Sequence, residues 1–331
     1  MEKFRNLKTF SSKVSTSTFT STHQRLNVKH ATIDSVSIQL PKKEFNNWLA
    51  GMTDKDGSFS FSINKKNSKN SSQKENSIWN CSFKIAQSTY NLRVLYFIKK
   101  NLQYGSVNKN SGKNMAEFRI TDRKTLVNTI VPLFMHHPLY STKHYYFLRW
   151  VKALKILENN TYTTAEKSEV LTLLKLETPA DTYVSPAWKK DVPSNDWIYG
   201  FIEAEGSFFI TNKSNSSTKN LQNINSSNHL NASMRMVHSF GITQKLDEIV
   251  LQFLRKKFHI PSKVLHTKTN IYKLETTNSR SIVKIQEFFL NKLKGVKSLE
   301  YKIWARSLNY KKNNEKLLKI QKQLRNIRNK I

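Results

Sequence analysis

Apolar and polar positions alternate with two periods, and the change from one to the other occurs twice along the chain. In residues 45–57, Phe45, Trp48, Leu49 and Met52 return at helical spacing before Gly57. Asn46 or Asn47 is the candidate cap of this helix, and Gly57, like Gly206 further on, suits a left-handed C-cap. Phe59, Phe61 and Ile63 then alternate with Ser58, Ser60, Ser62 and Asn64, which predicts a strand with one buried face. The same change of period follows Ser194, a clearer cap. The helix runs through Trp197, Gly200 and Glu205 to Gly206, and a strand follows in which Phe208 and Ile210 alternate with Ser207, Phe209 and Thr211. Leu317, Ile320, Leu324, Ile327 and Ile331 predict a C-terminal helix packed on the body, with Lys and Arg between them.

These patterns are two copies of one unit. FNNWLAGMTDKDGSFSFSI (45–63) aligns with SNDWIYGFIEAEGSFFI (194–210) at a constant offset of 149. Trp48 pairs with Trp197, Gly51 with Gly200, Asp54 with Glu203, Asp56 with Glu205 and Gly57 with Gly206. Downstream, SFKIAQ (82–87) matches SFGITQ (239–244), pairing Gln87 with Gln244, and each is followed by an amphipathic helix. Short strands around Val107 and Phe118 answer others around Val264 and Tyr272. Lys143 and Lys297 each precede a tryptophan, Trp150 and Trp304, by seven residues. Each half reads as helix, two strands, helix, two strands, helices. The expected organisation is a basic Ser/Thr-rich leader (1–43), an N-terminal lobe (44–157), a linker with three prolines (158–193), a C-terminal lobe (194–310) and a basic C-terminal helix (311–331).

Composition adds a partner class. The 331 residues carry 55 Lys and Arg against 23 Asp and Glu, a net charge of +32. The surplus is spread through the apolar segments, so a folded basic surface fits better than a basic tail, and nucleic acid is the default partner. Cys81 is the only cysteine, which excludes a disulfide scaffold and a multi-cysteine metal site. No apolar run approaches the ~20 residues of a membrane span. The leader, with Glu2 its only acid, reads either as an organellar transit peptide or as a disordered remnant of an upstream reading frame.

The repeated helix carries the chemistry. If Gly51 and Gly200 face each other, the two helices can cross with their backbones almost touching, which would compensate the roughly 1 kcal/mol that a mid-helix glycine costs. Asp56 and Glu205 would then share one neighbourhood at two helix C-termini, the unfavourable end of the dipole for an anion. A divalent cation resolves that conflict, and oxygen ligands suit Mg²⁺. Asp54 and Glu203 lie roughly 200° around their helices from these acids and read as structural or supporting. On the outward strand faces, Ser60, Ser62, Asn64, Lys84 and Arg119 in one copy and Thr211, Lys213, Arg235 and Lys273 in the other are candidate DNA contacts. An ordinary solvated sheet face is the alternative.

LAGMTDKDG (49–57) and IYGFIEAEG (198–206) resemble the two signature motifs of single-chain LAGLIDADG homing endonucleases. LKGVKSLEYKIWARS (293–307) is similar to the lysine segment of intron-encoded members and their maturase relatives. The resemblance covers about residues 44–310. It implies an α+β fold of two pseudo-symmetric αββαββα lobes, with the motif helices at the lobe interface and a DNA-binding β-saddle. It also implies a monomer that cuts both strands of a long double-stranded DNA site in a metal-dependent reaction. Metal binding carries over to Asp56 and Glu205, and catalytic roles to Gln87, Gln244, Lys143 and Lys297. The plainer readings of those four are strand-end hydrogen bonds and phosphate neutralisation. In the second motif Ile-Tyr replaces Leu-Ala, and its last acid is Glu, which still binds a metal.

Intron homing by DNA cleavage is the leading expectation. An RNA maturase acting on a host group I intron is the alternative, and a non-catalytic DNA-binding repressor is a third. A maturase or repressor need not keep both acids, so their presence favours the nuclease. The family's usual home and the AT-rich composition point to a mitochondrion, with a chloroplast as the alternative.

Overall fold

The computed structural model describes residues 43–64, 78–110, 112, 114–214, 234–267 and 271–329. The leader lies outside the described residues except for Lys43, as do Ile331 and the side chain of Asn64.

The first lobe runs α1 (Lys43–Asp56), β1 (Gly57–Asn64), β2 (Ile78–Ser88), α2 (Leu92–Leu102), β3 (Ser106–Asn110) and β4 (Met115–Ile120). A helical run, α3, follows as Arg123–Thr125, a π-turn Leu126–Ile130 and Val131–His136. The π-turn ends two residues before Pro132, whose missing N–H and ring disturb the regular ladder. α4 (Lys143–Glu158) closes the lobe one residue past the expected boundary, and α5 (Thr164–Leu176) occupies the middle of the expected linker. The second lobe repeats the order: α6 (Asn195–Glu205), β5 (Ser207–Ser214), β6 (Met234–Lys245), α7 (Glu248–Lys257), β7 (Leu265–His266), β8 (Ile271–Thr276), α8 (Ser279–Phe288) and α9 (Val296–Ser307). α10 (Asn314–Arg328) follows it. The two antiparallel sheets have the same strand order, β1-β2-β4-β3 and β5-β6-β8-β7.

The alternation read from sequence sorts the sheets into faces. Phe59, Phe61, Phe208 and Ile210 are buried under the helices, while Ser58 and Ser62 are exposed. Trp150 and Trp304 are fully buried in matching cores, and Phe59 and Phe208 each pack a ring against one of them. On α10, Leu317 and Leu324 are buried, so this helix packs on the body as its stripe predicts.

The lobes meet where α1 crosses α6. A Cβ built on Gly51 would stand 1.9 Å from the Trp197 carbonyl oxygen, and one on Gly200 would stand 1.9 Å from the Trp48 carbonyl oxygen. The reciprocity makes this crossing the pseudo-two-fold axis. Two expectations about these helices need correction. α1 starts at Lys43, so Asn46 and Asn47 lie inside it rather than capping it. Gly57 and Gly206 are not left-handed caps: Gly57 opens β1, and Gly206 has φ −62° and ψ 146°, an extended conformation. What excludes a side chain there is the preceding turn, since a Cβ would fall 2.3 Å from Thr53 Cγ2 or Ile202 Cγ2. Ser194 does cap α6, accepting the Trp197 N–H at 3.2 Å.

Gly51→Ala or Gly200→Ala is expected to destabilise the protein by about 3 kcal/mol or more, because backbone rather than a flexible side chain would have to yield. Urea denaturation reads this directly. Gly112→Ala is the control: its Cβ would meet nothing nearer than 3.8 Å, and it should leave stability within about 0.5 kcal/mol.

Candidate active site

The crossing puts Asp56 and Glu205, the last residues of α1 and α6, in one neighbourhood. Gln87, from the end of β2, donates Nε2 to Asp56 Oδ2. Asn91 Nδ2 in turn donates to Gln87 Oε1 at 2.7 Å. Burial pushes the Asp56 carboxyl up to about 6; the Gln87 hydrogen bond, Lys55 and Lys143 pull it down, and the charge of Glu205 pushes it up. Burial likewise raises Glu205, against Lys55 and Lys297. The Lys55 ammonium from the first lobe reaches across to Glu205 Oε2 at 2.9 Å and donates to Gln244 Oε1 at 3.4 Å. Lys143 feels Asp54, Asp56 and Asp247, and burial lowers its ammonium pKa. The six residues expected together, Asp56, Glu205, Gln87, Gln244, Lys143 and Lys297, therefore share one electrostatic neighbourhood.

Asp54 and Glu203 have a different task, and they perform it symmetrically. Asp54 accepts the Tyr140 N–H (2.8 Å), the Ser141 N–H (3.0 Å), the Ser141 hydroxyl (2.6 Å) and the Trp197 indole N–H (2.8 Å). Glu203 accepts the N–H groups of Lys294 (2.6 Å) and Gly295 (2.9 Å). Each acid thus holds the loop two or three residues before its own lobe's lysine. Burial raises both carboxyls, Asp54 to about 6, while these donors oppose the rise.

A second clamp crosses between lobes. Asp247, just before α7, accepts the backbone N–H (2.6 Å) and hydroxyl (2.7 Å) of Thr142 at the start of the first lobe's lysine helix. Asn91, just before α2, accepts the Val296 N–H (3.0 Å) at the start of the second. From sequence both positions read as the starts of amphipathic helices, yet neither side chain caps its own helix. The cross-lobe contacts of Lys55, Asn91 and Asp247 were missed because the partners lie 105 or more residues away and leave no local signal. The linker is also a working part, since Trp188 Nε1 donates to the Tyr140 carbonyl (2.8 Å) and Ser185 Oγ to the Leu139 carbonyl (2.7 Å).

The expected DNA contacts lie on the sheet faces turned away from the helices, exposed or half-buried, apart from Asn64, whose side chain is outside the described residues. Lys84 sits directly across from Arg119, and Lys213 from Arg235. Like charges opposite one another destabilise a bare sheet. Arg119 gains partial relief from Glu117 at 2.6 Å, and Lys213 from a hydrogen bond to Thr277. Ser62 and Arg235 are exposed, Thr211 is half-buried, and Ser60 shares a hydrogen bond with Ser82. Lys273 pairs with Glu275 at 2.7 Å beside a pocket of about 440 Å³ that Glu205 and Arg328 also line.

The donor set at the acids consists of oxygen, amide and ammonium groups. Among the described residues no cluster of three or more His, Cys, Asp and Glu could hold an ion. Two carboxylates on paired helix ends, one already drawing an ammonium to 2.9 Å, fit a hard cation that completes its shell with water and phosphate oxygens. Among the described residues no helix is long and apolar enough to cross a membrane.

A family model described as LAGLIDADG endonuclease matches residues 49–154 and 198–308. Probable intron-encoded endonuclease Cox1-I1b of Schizosaccharomyces pombe is 35% identical over 297 residues, covering 87% of this chain and 70% of its own length. Uncharacterized mitochondrial protein RF1 of Saccharomyces cerevisiae is 29% identical over 186 residues, covering 53% of this chain and 34% of its own. Among solved structures, the LAGLIDADG meganuclease I-AabMI bound to uncleaved DNA superposes with a TM-score of 0.66 at 20% identity, over 84% of this chain and 98% of that one. I-SmaMI, bound to an uncleaved DNA target in the presence of calcium ions, gives 0.67 at 21%, over 84% and 97%. At these identities the structures establish a shared two-lobe fold.

Asp54→Ala would leave four buried donors without their acceptor. It is expected to cost about 3–5 kcal/mol in denaturant unfolding.

Proposed function

The chain belongs to the LAGLIDADG endonuclease family, and on that premise we propose that it cuts both strands of a specific double-stranded DNA site to mobilise a group I intron. The observation that carries this reading is the pair Asp56 and Glu205, one from each repeat, at the adjoining ends of the crossed helices. Each lobe serves one half-site, and the monomer suffices because it contains both.

Asp56 and Glu205 would hold the divalent ion, Mg²⁺ by preference. When bound, such an ion activates water and stabilises the charge that develops on the phosphate. Gln87 fixes the orientation of the Asp56 carboxylate through its hydrogen bond. Lys143 and Lys297, set at the starts of α4 and α9, bring positive charge to the phosphate beside each acid. The clamps at Asp54, Glu203, Asp247 and Asn91 keep those helix starts in register with the acids. The like-charge pairs Lys84–Arg119 and Lys213–Arg235 become favourable once phosphates lie over them.

The maturase alternative is not favoured, since nothing in RNA binding calls for two half-buried acids at a helix crossing. A mitochondrial origin is supported by relatives that are intron-encoded or mitochondrial proteins.

Incubated with Mg²⁺ and the intronless host-gene junction, the protein should cut both strands. Asp56→Asn or Glu205→Gln should lose at least about 10²-fold in rate while retaining DNA binding; robust cutting by either would remove the acids from the reaction. Arg235→Ala should weaken DNA binding and lower the slope of log affinity against log salt by about 1, with no loss of stability in the DNA-free protein.

A further inference from the structure

One buried carboxylate near the site has no part in the chemistry above. Glu300 lies on α9 three residues after Lys297, with its side chain fully buried. Its oxygens are divided between two tasks. Oε2 pairs with the Lys297 ammonium at 3.2 Å. Oε1 accepts the Phe208 N–H at 2.9 Å and two donors of Arg328, Nε at 3.1 Å and Nη2 at 2.7 Å.

Arg328 comes from the last turn of α10, beyond the residues that the family model matches. Its guanidinium also donates to the Phe208 carbonyl at 2.5 Å and lies over the Phe209 ring at 5.5 Å. Phe208 and Phe209 follow Glu205 by only three and four residues, and Arg328 lines the same pocket as Glu205. Through Glu300, Lys297 is tied to the Phe208 amide on the strand that begins two residues after Glu205. The first lobe has no such device. Three residues after Lys143 stands Tyr146, and among the described residues Lys143 forms no ion pair.

A carboxylate buried this deeply is stable only with its partners in place. Arg328 and the Phe208 amide occupy one oxygen, which leaves the other for Lys297. The lysine is therefore held where the strand after Glu205 and the C-terminal helix both fix its counter-ion. We propose that α10 is part of the cleavage apparatus of one half-site: Arg328 and Glu300 are positioning residues that clamp Lys297 beside Glu205, and the other half-site works without this clamp. The proposal rests on the nuclease reading, and it makes the two strands unequal.

The test uses the full chain and a duplex target whose strands are labelled separately. Arg328→Ala and Glu300→Gln should each slow cutting of one strand about tenfold or more and leave the other within about twofold, so that nicked duplex accumulates. Arg328→Lys, which keeps the charge but loses the two-point contact, should recover part of the rate. A second readout needs neither DNA nor metal. Acetylation of Lys297 relative to Lys143, followed by mass spectrometry, should rise severalfold in both variants as the ammonium is released. Equal slowing of both strands, or an unchanged Lys297 to Lys143 ratio, overturns the proposal. If Arg328→Ala fails to fold, Glu300→Gln is judged by the same two criteria. If the wild type cuts no DNA, the nuclease reading fails, and the acetylation ratio still decides the clamp.

Discussion

The closest constraint in the molecule is the passage of α1 over α6 at Gly51 and Gly200, where there is no room for a single methyl group. That contact sets the distance between the lobes, and other placements follow from it. It brings two helix C-termini, each ending in an acid, into one neighbourhood. It puts Trp197 of one helix within hydrogen-bonding distance of Asp54 on the other. It also lets Asp247 and Asn91 reach the opposite lobe's lysine helix. A bulkier residue at the crossing would separate the acids and break the clamps together.

The electrostatics are arranged around that point. A protein of net charge +32 keeps Asp54 and Glu203 buried and Asp56, Glu205 and Asp247 half-buried, and desolvation raises all five carboxyls. Three of these are offset by hydrogen bonds from backbone and hydroxyl groups, and they serve the architecture. Asp56 and Glu205 have fewer donors, one side-chain amide on Asp56 and one ammonium on Glu205, and the charge of Glu205 acts on Asp56. On the sheet faces, cross-strand pairs of like charge await a polyanion.

The symmetry is close but incomplete. Gln87 bonds the first lobe's acid, whereas Gln244 bonds Lys55 instead. The clamp on one lysine helix is a carboxylate, Asp247, and on the other an amide, Asn91. Glu300 has Tyr146 as its counterpart. Two copies within one chain can diverge residue by residue, because each contact needs to suit only its own half.

The repeat was legible in sequence because its markers are local. Periods of 3.6 and 2 reveal helices and strands, and a constant offset of 149 pairs the acids, the glycines and the tryptophans. The resemblance to a known family then singled out the two glutamines and two lysines. Asp54 and Glu203 were separated from the outer acids by helical angle alone. The conformations of Gly57 and Gly206 and the start of α1 were misread, because propensity does not record that a preceding turn already fills the space. Lys55 with Glu205, Thr142 with Asp247, Val296 with Asn91 and Arg328 with Glu300 emerged only in the folded chain. Sequence periodicity reports which face a side chain takes on its own element. Which distant side chain meets it there is decided by how the elements pack.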